Sequence, residues 1–288
     1  MLFSSGRLLL DSCDVTDNKC SKSLIYSVPN TKVRSCLFQN NNVSMDLFQN
    51  YSSLDLGLSL FEKNSADVLC LGNSFFLDSC QFENNISTSN LLQCDTFICS
   101  NTLFEGNDLK SNLLTTYDDR VVKHYNILSS TFNRNKIGSI MFSFDGLNME
   151  NSSITNNEAH YLWINSGNSK FTLNNNTIIG NTTAGLFMLS CPVNLLGNVI
   201  LGNFQASDNN NMSILSNEDK YIRSNMMNVI LTGDEVSADD DKKWVPDNET
   251  NFYVQAFKSD DNCAACAYAE QETEEYHLTN LFDGSYNS

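Results

Sequence analysis

Two carboxylates, a guanidinium and an imidazole lie close together in one short segment of the chain, at Asp118, Asp119, Arg120 and His124. Carboxylates beside basic groups are what an enzyme needs to cleave a polysaccharide by acid and base catalysis. The same groups can also bind a polar ligand without cleaving it, or form a local ion pair in a solvated loop. We predict these four residues as a binding site, and we assign no catalytic residue.

Two cysteines near the C-terminus, Cys263 and Cys266, are the only pair with the C-x-x-C spacing. One such pair supplies at most half of a zinc site, and neither a second pair nor a suitable His pattern accompanies it. The chain also has no Gly-rich phosphate loop and no defensible Ser-His-Asp arrangement. We therefore predict neither a metal ion nor a cofactor.

An internal repeat indicates which elements position these groups. An apolar residue, two variable residues and an Asn recur nine times, with steps of 21 to 28 residues between successive apolar members. The longest step, from Phe104 to Phe132, contains the four candidate binding residues, and insertions between repeats are frequent sites of function. The pairs are Val15 and Asn18, Phe38 and Asn41, Phe61 and Asn64, Phe82 and Asn85, Phe104 and Asn107, Phe132 and Asn135, Ile154 and Asn157, Ile178 and Asn181, and Ile200 and Asn203, with Ile222 and Asn225 as a candidate tenth.

A second column of small or polar residues stands two positions before each apolar member. It comprises Cys13, Cys36, Ser59, Cys80, Thr102, Ser130, Ser152, Asn176 and Asn198. Since side chains alternate along a strand, positions separated by two share a face, so we expect both columns to line one interior. We expect the thiols of this column to act as small apolar side chains. Disulfides between Cys13 and Cys36, or between Cys94 and Cys99, are alternatives.

A repeat of about 22 residues with three short strands and three turns is typical of one coil of a parallel β-helix. Each strand then pairs with its counterpart about 4.8 Å away in the next coil, and nine to ten coils span roughly 40 to 50 Å. The Phe residues are expected to stack inside. The Asn side chains are expected to stack into a hydrogen-bonded ladder and to take a left-handed turn conformation.

The Phe-x-x-Asn repeat at Phe38, Phe61, Phe82, Phe104 and Phe132 resembles the repeat of polymorphic outer membrane proteins and of similar protist surface proteins. The resemblance covers roughly residues 10 to 231. It implies a right-handed parallel β-helix of the pectin lyase-like fold, displayed outside the cell and often adhesive. It implies no catalytic residue.

The chain is rich in Asn, with 41 of 288 residues, whereas only 18% of its residues are charged. This composition disfavours both a helix bundle and a highly charged disordered chain. The net charge of -17 disfavours nucleic acid and anionic membranes as partners. Residues 233–288 contain 14 acidic and 3 basic residues. We therefore predict an all-β chain with a β-helix domain at 1–232 and an acidic, irregular C-terminal extension at 233–288.

The predicted function is that of a non-catalytic surface or secreted β-helix module for adhesion or display. Its expected ligand is a glycan or a protein of a host or cell surface, and its expected state is a monomer. The alternatives are a carbohydrate-active β-helix enzyme, an inactive relative of one, or a structural remnant. The expected location is extracellular or at the cell surface, although neither a complete signal peptide nor a membrane anchor is visible and the chain could be a fragment.

Eight Asn-x-Ser/Thr sequons do not decide the location, because chance placement in so Asn-rich a chain gives about seven. The sequon residues are Asn42, Asn50, Asn85, Asn151, Asn175, Asn181, Asn211 and Asn248.

Overall fold

The computed structural model describes residues 2–4, 6–27, 30–116, 125–143, 146–165, 171–183, 185–189, 193–201, 203–205, 222–226, 229–232, 252–257 and 266–269. Within these residues the chain forms strands and no helix. The strands, numbered β1 to β38 in chain order, build three sheets that run along one solenoid. The predicted all-β parallel β-helix is confirmed, and its coils wind in the right-handed sense.

The first sheet, here called the phenylalanine sheet, carries the stacked apolar residues of the repeat. The three-residue strands from Leu37–Gln39 to Thr177–Ile179 each bury the central side chain and turn the two flanking side chains outward. All its strand pairs are parallel except the last one, in which β38 runs antiparallel to β37. Its strands are β3 (Asp14–Thr16), β7 (Leu37–Gln39), β10 (Leu60–Glu62), β13 (Gln81–Glu83), β17 (Leu103–Glu105), β21 (Thr131–Asn133), β25 (Ser153–Thr155), β29 (Thr177–Ile179), β33 (Val199–Leu201), β36 (Val229–Thr232), β37 (Phe252–Phe257) and β38 (Cys266–Ala269).

The second sheet, the short sheet, has one two-residue strand per coil. Its nine strands correspond to nine coils, or about eight complete turns, at the lower end of the predicted nine to ten coils. They are β4 (Lys19–Cys20), β8 (Asn42–Val43), β11 (Ser65–Ala66), β14 (Ile86–Ser87), β18 (Asp108–Leu109), β22 (Lys136–Ile137), β26 (Glu158–Ala159), β30 (Thr182–Thr183) and β34 (Phe204–Gln205).

The third sheet, the long sheet, contains two strand columns that meet at a junction. Two strands, β9 (Phe48–Gly57) and β12 (Cys70–Asp78), run through both columns. The column before the junction also contains β1 (Leu2–Ser4), β5 (Ile25–Ser27), β15 (Leu92–Gln93), β19 (Leu114–Thr115), β23 (Met141–Ser143), β27 (Tyr161–Asn165) and β31 (Gly185–Leu189). The column after it contains β2 (Leu8–Asp11), β6 (Thr31–Arg34), β16 (Thr96–Ser100), β20 (Tyr125–Leu128), β24 (Leu147–Glu150), β28 (Phe171–Asn174), β32 (Val193–Leu196) and β35 (Ile222–Met226).

A stack of five phenylalanine rings runs through the core, as the repeat predicts. The centroids of Phe61 and Phe82 are 4.7 Å apart with their planes 7° from parallel, and both rings are fully buried. The other successive pairs are 4.8 to 5.2 Å apart. The stack continues as Ile154, Ile178 and Ile200. In-register parallel pairing puts identical side chains directly over one another, so one residue type can fill the column.

The tenth repeat predicted at Ile222 is wrong. Ile222 lies in β35 of the long sheet, and the residue that pairs with Ile200 in the phenylalanine sheet is Ile230. The step from Ile200 to Ile230 is longer than the others, and the chance spacing of Ile222 to Asn225 imitated the pattern.

The predicted asparagine ladder is confirmed, with Asn18, Asn41, Asn64, Asn85, Asn107, Asn135, Asn157, Asn181 and Asn203 as its members. Asn107 shows the pattern. Its Nδ2 donates to the carbonyl of Phe82 at 2.9 Å and to Oδ1 of Asn135 at 2.9 Å. Its Oδ1 accepts from the backbone N–H and from Nδ2 of Asn85, both at 3.0 Å. Each ladder amide from Asn41 to Asn181 thus fills its whole hydrogen-bonding capacity.

The ladder asparagines are not the left-handed residues, contrary to prediction. From Asn18 to Asn181, the positive φ belongs to the residue before each ladder asparagine, for example Asn40 (φ 54°) and Asn84 (φ 54°). The ladder amide must point inward. The backbone of the preceding residue makes the tight bend that turns the chain.

The column of small and polar residues is interior, as predicted, but its thiols are not merely apolar filling. Cys36 Sγ accepts the backbone N–H of Cys13 at 3.4 Å and donates to the carbonyl of Arg34 at 3.1 Å. Ser130 does the same with the N–H of Thr102 and the carbonyl of Leu128. We call this column the small-residue ladder. Its cysteines are free thiols, as are Cys94 and Cys99.

Candidate functional site

The four predicted binding residues, Asp118, Asp119, Arg120 and His124, lie outside the residues that the structure describes. The structure places the two ends of their segment: Thr116 follows β19, and Tyr125 begins β20. Both flanking residues are buried, and the hydroxyl of Tyr125 donates to the carbonyl of Cys94 at 2.7 Å. The segment therefore starts and ends at the junction between the two columns of the long sheet.

Earlier coils place polar and aromatic residues at the same junction. In chain order these residues are Asn30, Tyr51 with Ser52, Asn73 and Asp95. Neighbouring coils are about 4.8 Å apart, so Tyr51 lies roughly 14 Å along the solenoid from the coil that carries the 117–124 segment. The junction thus joins the predicted site to a described surface.

A β-bulge shapes this surface at Tyr51. Asn50 pairs with Gly72 and Ser53 pairs with Ser74, so that Tyr51 and Ser52 together lie opposite Asn73 alone. An extra residue in one strand redirects the side chains beside it. Gly72 is needed here because a Cβ atom at this position would lie 2.5 Å from the carbonyl oxygen of Asn50. The bulge leaves Tyr51 44% exposed.

Tyr51 belongs to a small group of side chains that we call the aromatic cluster, made of Tyr26, Gln49 and Tyr51. The rings of Tyr26 and Tyr51 meet edge to face, with centroids 5.7 Å apart. Gln49 Nε2 donates to the hydroxyl of Tyr51 at 2.9 Å, and the hydroxyl of Ser23 donates to Gln49 Oε1 at 3.0 Å. The rings are therefore held in place by packing and by hydrogen bonds.

Amide and hydroxyl groups surround the aromatic cluster. Asn73 Nδ2 donates to the carbonyl of Tyr51 at 2.9 Å, and the hydroxyl of Ser52 donates to Asn30 Oδ1 at 2.7 Å. A tyrosine offers an apolar face and a polar tip, and amides can both donate and accept. Such a surface suits a sugar, because a pyranose has an apolar C–H face and a rim of hydroxyl groups.

A buried carboxyl lies behind the aromatic cluster. Asp46 is 5% exposed, and its Oδ2 lies 3.4 Å from the hydroxyl of Ser23, which also contacts Gln49. Burial raises the pKa of Asp46 to about 6; the hydrogen bond from Ser23 opposes this rise, and the charge of Asp67 adds to it. The single hydroxyl hydrogen of Ser23 is shared between Asp46 and Gln49, so polar contacts run from Asp46 through Ser23 and Gln49 to Tyr51.

Several charged side chains elsewhere on the described surface form local ion pairs. On the phenylalanine sheet, Glu62 contacts Lys63 and Glu105 contacts Arg134. Hydrogen bonds from Lys63 and Gln39 lower the pKa of Glu62. Among the described side chains, no three His, Cys, Asp or Glu residues are grouped so that they could hold a metal ion. These charged side chains therefore offer less to a ligand than the junction does.

The aromatic cluster was not predicted from the sequence, although two signals mark it. The step from Phe38 to Phe61 is 23 residues and the next step is 21, and the bulge at Tyr51 accounts for one of the two extra residues. Gly72 lies beside the bulge, paired with Asn50. An isolated Gly beside a strand of uneven length is typical of a bulge.

Comparison with known proteins finds no family model, no curated protein and no solved structure that matches this chain. In the part of the chain that the structure describes, no helix could cross a membrane.

Proposed function

We propose that this chain is a non-catalytic surface or secreted β-helix module for adhesion or display, and that it binds carbohydrate along the junction of the long sheet. The observation that carries the proposal is the outward pair Tyr26 and Tyr51, set among amides and hydroxyls by a β-bulge. The predicted binding residues Asp118, Asp119, Arg120 and His124 belong to a segment that begins and ends at this junction, and we expect them to take part in the same binding surface. The resemblance to polymorphic outer membrane proteins and to the pectin lyase-like fold supports a location outside the cell.

The architecture suits a display module. Backbone ladders and two side-chain ladders hold neighbouring coils together, and the phenylalanine stack also joins the coils from Phe38 to Phe132, so the surface stays fixed without a ligand. A fixed surface loses little conformational entropy on binding. An extended polysaccharide could contact several coils at once, since the junction repeats along the solenoid.

The test is titration calorimetry of the full chain with a panel of neutral and acidic polysaccharides. For a polysaccharide that binds, Tyr51→Ala is expected to raise Kd about tenfold or more, which corresponds to about 1.4 kcal/mol. The control is Phe76→Ala, because Phe76 is similarly exposed at 39% but lies in the column after the junction. Equal Kd values for wild type and Tyr51→Ala would contradict the proposal, and so would the absence of binding across the panel.

The same incubations separate the module from an enzyme. Size-exclusion chromatography of each polysaccharide after long incubation is expected to show unchanged chain length. Shortened chains, with shortening lost in Asp119→Ala, would replace the proposal with the carbohydrate-active alternative.

A further inference from the structure

The structure divides the Asn-x-Ser/Thr sequons into two groups. Six of the eight sequon asparagines have described side chains. Three are exposed, namely Asn42, Asn151 and Asn175, and three are buried, namely Asn50, Asn85 and Asn181. Asn211 and Asn248 lie outside the described residues.

The buried sequon asparagines cannot carry a glycan in the folded chain. Asn85 Nδ2 uses both hydrogens, donating to the carbonyl of Phe61 at 2.9 Å and to Oδ1 of Asn107 at 3.0 Å. Asn181 Nδ2 is engaged in the same way, and Asn50 Nδ2 donates to the buried hydroxyl of Thr31. N-glycosylation replaces one of these hydrogens by a sugar, so it would break a ladder rung and require space that the core does not have.

The exposed sequon asparagines have neither restriction. Asn42 lies on the outer side of the short sheet, and Ser44 of its sequon is exposed too. Asn151 and Asn175 occupy left-handed turn positions, with φ of 50° and 52°, between the long sheet and the phenylalanine sheet. A left-handed position in a tight turn holds the side chain at the surface, where a bulky addition meets solvent.

We propose that Asn42, Asn151 and Asn175 are N-glycosylation sites. The inference rests on the proposed location outside the cell. The donor class is a lipid-pyrophosphate oligosaccharide: Nδ2 of the asparagine forms a bond to C1 of the first sugar, the bond between C1 and the phosphate oxygen breaks, the lipid pyrophosphate leaves, and one amide proton is released. Transfer precedes folding, so the fold decides which modified chains reach the soluble native state.

Glycans at these three asparagines would leave the proposed binding surface uncovered. None of the three sites lies at the junction of the long sheet. Among the six described sequons, only that of Asn50 lies at the junction; it is beside Tyr51, and its amide is buried and hydrogen-bonded. Glycans would therefore cover the short sheet and one turn while the aromatic cluster stays accessible.

The test is secretion of the full chain, behind a cleavable leader, from a eukaryotic cell that performs N-glycosylation. Asn211→Gln and Asn248→Gln remove the two sequons outside the described residues. Enzymatic deglycosylation in heavy-oxygen water followed by mass spectrometry marks each occupied asparagine. In the soluble monomer, occupancy is expected at Asn42, Asn151 and Asn175 and is expected to be absent at Asn50, Asn85 and Asn181.

A soluble monomer occupied at Asn85 or Asn181, or bare at all three exposed sites, would overturn the inference. The matched variant Ser44→Ala, Ser153→Ala and Thr177→Ala removes the three sequons and keeps their asparagines. It is expected to migrate as the unmodified mass with unchanged melting temperature. Polysaccharide binding measured on the same sample reports on the proposed function separately, because site occupancy in this host does not depend on it.

Discussion

The two side-chain ladders of this solenoid tolerate very different residues. The asparagine ladder has the same residue in all nine coils from Asn18 to Asn203, whereas the small-residue ladder contains Cys, Ser, Thr and Asn. Each amide of the first ladder from Asn41 to Asn181 makes two donor and two acceptor bonds, as Asn107 does. No other neutral side chain of that shape offers two donors and two acceptors.

Positions of the small-residue ladder require fewer hydrogen bonds. From Cys36 onward, each member accepts one backbone N–H from the preceding coil, and the hydroxyl or thiol members also donate to the carbonyl two residues before them. A thiol meets these needs, because burial raises the pKa of Cys80 to about 11 and keeps it a neutral donor. The number of hydrogen bonds that a position must complete therefore determines how freely its residue can vary.

The largest effect is expected from breaking the asparagine ladder in its middle. Asn107→Ala leaves the carbonyl of Phe82 and the backbone and side-chain N–H groups of Asn85 without these partners. At about 1–3 kcal/mol for each buried unsatisfied group, partly relieved by relaxation, we expect a loss of about 3–5 kcal/mol in the free energy of unfolding. Urea denaturation measures it.

The control for that change is Asn126→Ala, because Asn126 points outward on β20 and takes no part in either ladder. Its effect is expected to stay below about 0.5 kcal/mol. A similar loss for both variants would show that asparagine content, and not the ladder, stabilises the coils.

A third interior column of mostly polar side chains differs from both ladders, because its hydrogen bonding is interrupted. It runs through Ser23, Asp46, Val68, Asn90, Asn112 and Ser139, and Val68 cannot bond to Asp46. Because the pKa of Asp46 is raised, its neutral carboxyl contributes fully to the free energy of unfolding below pH 4. This contribution is lost as the pH rises through about 6. Asp46→Asn is therefore expected to stabilise the chain at pH 7, by at most about 2–3 kcal/mol.

The measurement is the difference in unfolding free energy between Asp46→Asn and wild type from pH 4 to pH 8. The difference should grow with pH and level off above about 7. A difference that stays constant over this range would show that Asp46 titrates normally.

The smallest effects are expected in the small-residue ladder. Ser130→Ala leaves the backbone N–H of Thr102 without its acceptor and is expected to cost about 1–2 kcal/mol. Ser130→Cys keeps an acceptor and a donor and is expected to cost less than about 1 kcal/mol. Thermal unfolding of both variants checks the order. If Cys costs as much as Ala, the thiols elsewhere in this ladder are only filling space.

The periodic features of the fold were predictable from the sequence, and the local ones were not. The spacing of Phe38, Phe61 and Phe82 predicts the stack because in-register pairing converts a sequence period into a spatial column. The left-handed residues were misplaced by one position, since the repeat shows where Asn recurs but not which backbone bends.

The candidate site could be predicted only in part, because it depends on departures from the repeat. The insertion near Asp118 is visible as a long step, and its flanks lie at the junction. The aromatic cluster depends on a bulge that shifts the register by one residue, and on contact between Tyr26 and Tyr51 across two coils. Local packing decides such a shift. The sequence shows only two signs of it, the uneven step between repeats and Gly72.

Both ladders run in one direction along the solenoid. In each, wherever a ladder side chain accepts a hydrogen bond from another coil, the donor belongs to the earlier coil and the accepting oxygen or sulfur belongs to the later one. The dipoles of the stacked amides therefore add instead of cancelling, much as peptide dipoles do along an α-helix. Whole coils that keep this direction could be duplicated or deleted at little cost. An inverted coil would bring acceptor against acceptor. Growth of such a rod by duplication therefore has a built-in polarity.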